Sequence, residues 1–105
     1  MIIDNNTQDT IEIVFIGQTS YTNGTDSILA LPMNQIIYYD AEGKKIKTKN
    51  FECDPQISKD EVDITTSSNR MLIKDISDKE NWECETNSKN TYWRLIFQIN
   101  ETDLN

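Results

Sequence analysis

Two cysteines, eighteen carboxylates and no histidine set the chemistry open to this 105-residue chain. Without histidine the commonest general base, metal ligand and physiological pH switch are all missing, so Ser-His, Cys-His and His-metal arrangements are excluded. Cys53 stands in "FECDP" and Cys84 in "WECET", with thirty residues between them. Two cysteines alone cannot complete a four-ligand zinc site, and no C-x-x-C is present for redox work. Two readings stay open. One is a Cys53–Cys84 disulfide, which places the protein in an oxidising compartment and would stabilise it by about 2–4 kcal/mol. The other is a pair of buried thiols in a cytosolic protein. The even count and the small, loop-rich chain favour the disulfide.

The carboxylates offer pairs but no designated acid and base. Glu83 and Glu85 fall on one strand face, about 7 Å apart. A glycosidase-like pair also needs a cleft and one raised pKa, so a solvated face is the expected role. "DISDKEN" brings Asp75, Asp78, Glu80 and Asn81 close in sequence, but it lacks the calcium-loop signature and its bending glycine. No catalytic residue, metal or cofactor is therefore expected, and the chain reads as a non-enzyme. Asn5, Asn23 and Asn100 begin N-x-S/T sequons, which could carry glycans in a eukaryotic secreted protein. Tyr21, Tyr38, Tyr39, Tyr92 and Trp82 are the aromatics that patterning does not force inward, so they are the ones able to stack on a sugar. Trp82 shares a strand face with Cys84, and burial against a disulfide is its competing role.

The net charge of −8 repels nucleic acid and anionic membranes. It suits either solubility or a basic partner. No apolar run reaches the roughly 18 residues a membrane helix requires. Met1-Ile2-Ile3 is too short an apolar region for a signal peptide.

The elements that must position these side chains read as strands. Fifteen Ile against five Leu and two Ala, with eleven Thr, is a β-forming vocabulary. In "DTIEIVFIG" Ile11, Ile13 and Phe15 share the buried face. "SILALP" is a strand stopped by Pro32, and "NQIIYYD" is another. The lysines of "KIKT" mark a protected edge. In "EVDITT" Val62 and Ile64 point inward, and "RMLIKDI" is expected to run back as a strand. "SDKEN" is a charged loop or a helical turn. "NWECE" and "YWRLIFQI" form a hairpin, with Trp93, Leu95, Phe97 and Ile99 on its core face. "NETDLN" closes the chain as a polar tail. Seven or eight short strands predict one all-β domain over 1–105, an antiparallel, Ig-like β-sandwich, with a small β-barrel as the alternative.

The phrases "TIEIVFIG", "TDSILALP", "TSSNRMLIKDI", "NWECE" and "YWRLIFQINETDL" together resemble small lipoprotein ectodomains of Bacteroidota. The resemblance spans most of the chain and rests on pattern and phrase. It implies a lipid-anchored domain in the periplasm or on the outer membrane, a setting that suits a Cys53–Cys84 disulfide. It brings no activity and no site residues. The signal peptide and acylated cysteine of such proteins are absent from this chain, so the membrane is reached only through an anchor outside it. The expected function is a non-enzymatic binding or structural role, with a protein or glycan at the cell surface as partner. The alternatives are a cytoplasmic acidic inhibitor, an immunity protein or phage DNA mimic meeting a basic partner, and a glycan-binding module. For the inhibitor the acids between Asp60 and Glu85 supply the charge.

Overall fold

A computed structural model describes residues 1–16, 26–37, 55, 57–86 and 93–105, with the side chains of Asp26, Thr86 and Trp93 excluded. Tyr21, Tyr38, Tyr39, Tyr92, Cys53 and the segment "KIKT" lie outside the described residues. Among those described, seven strands follow one another: β1 (Ile2–Asn6), β2 (Ile11–Phe15), β3 (Asp26–Ala30), β4 (Asn34–Ile37), β5 (Val62–Thr66), β6 (Glu83–Thr86) and β7 (Trp93–Asn100). They form two sheets, ordered β4-β1-β7-β6 and β3-β2-β5. The domain is an all-β sandwich and not a closed barrel.

Period-two alternation builds the interior. Ile11, Ile13 and Phe15 on β2 are fully buried, while Glu12 between them is exposed. Ile28 and Ala30 of β3 complete that layer, and Ile3, Phe97 and Ile99 come from the other sheet. Burying each such Ile or Phe contributes about 1.5–3 kcal/mol.

Three features depart from the expected pattern. β1 is a central strand, and it pairs with β7 in parallel, Ile3 opposite Phe97 and Asn5 opposite Ile99; the sandwich is thus not wholly antiparallel. "RMLIKDI" is not a laddered strand. It forms one bridge, Leu72 to Leu104, with backbone bonds from Met71 N–H to Asn105 O, 2.9 Å, and from Ile73 N–H to Asp103 O, 2.8 Å. The polar tail is therefore no free end: Glu101–Asp103 makes a 3-10 turn, and Leu104 is buried behind it.

Turn chemistry sets the corners. Asn34 N–H donates to Leu31 O at 3.2 Å across Pro32 and Met33. Met33 holds φ 57° and Asn69 holds φ 62°. Asparagine tolerates the left-handed region, but a Met Cβ crowds the following carbonyl there. Since Met33 is 65% exposed, its side chain offsets little of that cost. Met33→Asn is expected to raise stability by about 0.5–1 kcal/mol, read as a higher urea midpoint at unchanged slope.

Candidate functional site

A cavity among the described residues opens at one side of the sandwich. It has a volume of about 380 Å³, within the range of small-ligand clefts. β5 is an edge strand of the three-stranded sheet, with no further strand beside it among the described residues, and it forms one wall. The strap from Arg70 to Ile76 forms the other. Val62, Ile64 and Leu72 are half-buried along the floor and pack against the main core. Met71 and Ile73 stand on the rim at 72% and 62% exposure.

Hydrogen-bond phase shows what β5 presents to this groove. Ser67 N–H donates to Thr10 O at 2.9 Å, and Ile16 N–H donates to Glu61 O at 2.7 Å. Both pairs continue the β2–β5 register in which Glu12 faces Thr65 and Val14 faces Asp63. Bonded pairs alternate along an antiparallel ladder. Hence Thr65 and Asp63 direct their backbone groups at β2, while Val62 and Ile64 direct theirs outward. Among the described residues the N–H and C=O of Val62 and Ile64 have no hydrogen-bond partner. Four main-chain groups thus line the open side at strand spacing.

Charge here differs from that of the other described residues. Lys59, Arg70 and Lys74 line the groove with Asp75, and they are three of the five Lys and Arg among the described residues. Arg70 is committed elsewhere. Its guanidinium meets Asp9 at 3.2 Å and Glu101 at 2.8 Å, and the Ser68 hydroxyl also donates to Asp9. Lys74 Nζ donates to Gln98 O at 2.6 Å and sits 5.0 Å from the Phe97 ring centroid. An ammonium has three donors, so Lys74 keeps capacity for a further acceptor.

The Asp9, Ser68, Arg70 and Glu101 network meets the groove at Arg70 and ties the β1–β2 connection to the strap and the C-terminal turn. The Ser68 hydroxyl, then Arg70, hold the Asp9 carboxyl below its ordinary 3.8. Arg70 and the Gln8 N–H hold Glu101 below 4.5. The Ser77 hydroxyl and N–H do the same for Asp75. Groups depressed in the fold stabilise it above their unfolded values, and that stability is lost as pH falls through the folded ones. Stability is therefore expected to hold from neutrality to about pH 5, then decline. Arg70→Met should be less stable than the parent at pH 7, with the gap closing toward pH 2. Parallel curves in urea melts across this range would refute the assignment.

The residues singled out in the sequence disperse. Trp82 is 7% exposed; its ring lies 5.1 Å from Phe97 at 46°, and its Nε1–H donates to Ile76 O at 2.7 Å. It is a core side chain, with its ring buried against Phe97 and its donor engaged inside. Asn5 is fully buried, so its sequon cannot accept a glycan in the folded chain. Asp75 accepts from Ser77 N–H at 2.9 Å, whereas Asp78 caps Glu80 N–H at 3.0 Å. These two carboxylates serve separate turns and do not converge. Glu83 and Glu85 are exposed on the outer face of β6, with Glu85 3.9 Å from Arg94. Asp63 points outward from the opposite sheet, so the acids between Asp60 and Glu85 do not share one face. Cys84 pairs with Leu95 in the hairpin register, and no free cysteine occurs among the described residues.

The sequence reading missed the β5 edge. Val62 and Ile64 read as ordinary inward residues there, and nothing in "EVDITT" marks which side of the strand stays unpaired. The apolar run Met71-Leu72-Ile73 between Arg70 and Lys74, which a strand with one buried face would not require, was the available signal.

Fold and site together define a small two-sheet β domain with, among the described residues, a groove at the β5 edge. No family model, curated protein or solved structure matches this chain.

Proposed function

We propose that this chain is a non-enzymatic binding domain of the bacterial cell envelope, and that the groove between β5 and the Arg70–Ile76 strap is its binding site. One observation carries the reading: the groove joins an apolar floor, Val62, Ile64 and Leu72, to a rim with Lys59 and Lys74. Apolar surface supplies affinity, and a few polar groups set orientation. The envelope setting rests on the resemblance to lipoprotein ectodomains. A Cys53–Cys84 disulfide belongs to the same proposal and is supported by the lack of a free thiol at Cys84.

The acidic-inhibitor reading draws on the −8 charge. It is the weaker of the two, since the outward acids divide between opposite sheets and an inhibitor of a basic groove needs them on one surface. Glycan stacking loses Trp82 to the core.

The test uses sodium decanoate, an apolar chain ending in a carboxylate, followed by amide and methyl NMR shifts. Perturbations are expected at Val62, Ile64, Leu72 and Lys74, and Ile64→Arg should abolish them while retaining a dispersed β spectrum. Shifts scattered over the surface, or unchanged in Ile64→Arg, would reject the groove as a site.

A further inference from the structure

We infer that the natural occupant of the groove is an extended, carboxylate-bearing peptide segment that adds to β5 as a further strand. The inference rests on the groove being the binding site and goes beyond it by naming what binds.

Three observations select this ligand. First, the outward N–H and C=O groups of Val62 and Ile64 repeat at i and i+2, the spacing at which one strand reads another. A small apolar ligand would leave them unused, whereas an added strand satisfies all four. Second, the inner side chains of the new strand would continue the inner face of β3-β2-β5. They would drop into the 380 Å³ cavity and cover Val62, Ile64 and Leu72, half-buried in the free chain. Third, with Arg70 bound to Asp9 and Glu101, Lys59 and Lys74 face only Asp75 among the acids lining the groove. A cationic rim in a chain of net charge −8 favours an acidic segment at contact. The overall charge opposes it only at distances that salt screens, beyond about 8–10 Å. The same net charge disfavours a second copy of this chain as occupant.

Edge strands are usually blunted against such pairing by charge, brevity or cover. β5 is short, Asp63 interrupts it, and the charged 3-10 turn Lys59–Glu61 precedes it. That protection limits indiscriminate pairing. It leaves the backbone groups of Val62 and Ile64 open to a segment of the right charge pattern.

The probe is an acetylated, amidated hexapeptide alternating valine and glutamate, titrated by calorimetry into the full chain at 50 mM salt. Saturable binding is expected, with new protection of the Val62 and Ile64 amides in hydrogen exchange. N-methylation of the peptide at alternate amides, on the register that faces β5, should weaken binding at least tenfold without altering its side chains. Lysine in place of glutamate should weaken it comparably. Ile64→Pro deletes an outward N–H that β2 does not use, and it should abolish peptide binding; peptide N-methylation tests the same bond if that variant fails to fold. Equal affinity of the N-methylated and parent peptides overturns strand addition. Decanoate shifts in the groove with no peptide binding also overturn it, while leaving the groove as a site. Loss of both overturns the two proposals together. A dimer that forms at micromolar concentration and is abolished by Ile64→Pro overturns the peptide in favour of self-pairing.

Discussion

Asn5→Ala is expected to lower stability by about 3 kcal/mol, a large share of what a domain of this size has. Asn5 is fully buried on β1, and every polar atom of its side chain is used. Nδ2 donates to Asp9 O at 2.8 Å, Ala30 O at 3.0 Å and Leu31 O at 3.1 Å. Oδ1 accepts from Thr7 N–H at 3.0 Å and from the Thr7 hydroxyl at 2.7 Å. These bonds join the four-stranded sheet, the β1–β2 connection and the end of β3, so one side chain ties the two layers at a corner. Truncation leaves carbonyls and an N–H without partners in a dry site, and each stranded group costs about 1–3 kcal/mol. Asn5→Asp should be at least as damaging at pH 7. It keeps the acceptor for Thr7 but turns a carboxylate oxygen toward three carbonyls. Urea unfolding followed by circular dichroism measures both variants. A loss under about 1 kcal/mol for Asn5→Ala would mean that water replaces the amide, and that the corner is not the tie described.

Phe97→Ala should cost about 4 kcal/mol, at the upper end of core truncations. Phe97 is fully buried on β7, opposite Ile3 of β1. Its ring meets Trp82 on one side and carries the Lys74 ammonium on another. The substitution opens a cavity and removes an aromatic pair worth about 0.5–1.5 kcal/mol beyond its area. It also removes the ring under Lys74, a contact worth about 0.5–2 kcal/mol. Phe97→Leu keeps most of the volume and should cost about 1.5 kcal/mol, separating the volume effect from the aromatic contacts. Trp82 reports the change directly, because a cavity beside the indole shifts its fluorescence to longer wavelength. Unaltered emission alongside a loss below about 2 kcal/mol would show that neighbours collapse into the space.

Strand content was legible because alternation is a local property. In "TIEIVF" and "WRLIFQI" each side chain's face follows from its parity alone, and the structure buries Ile11, Ile13, Phe15, Phe97 and Ile99 as that parity requires. The hairpin of β6 and β7 was equally visible, since its loop joins two alternating runs. β1 was not. "IIDNN" places two isoleucines side by side and follows them with turn-forming residues. Its strand character comes from β7 and β4 on either side, and from the bonds that make Asn5 acceptable inside. Leu104 was hidden in the same way: one apolar residue in "NETDLN" has no period to read, and its burial depends on Leu72 arriving from thirty-two residues away.

Composition and parity alone establish an acidic, histidine-free β domain and the inward face of most of its strands. Both follow from side-chain identity and the two-residue repeat of an extended backbone, neither of which needs a partner. Sheet order, the parallel β1–β7 pairing and the unpaired edge of β5 depend on which segments meet across the chain. The groove belongs to that second group. It exists because the Arg70–Ile76 strap, tied to β5 through the Thr66 hydroxyl and Arg70 O at 2.8 Å, takes its backbone bonds at Met71 and Ile73 from the C-terminal segment and not from β5, a choice between distant hydrogen-bond partners that no local pattern encodes.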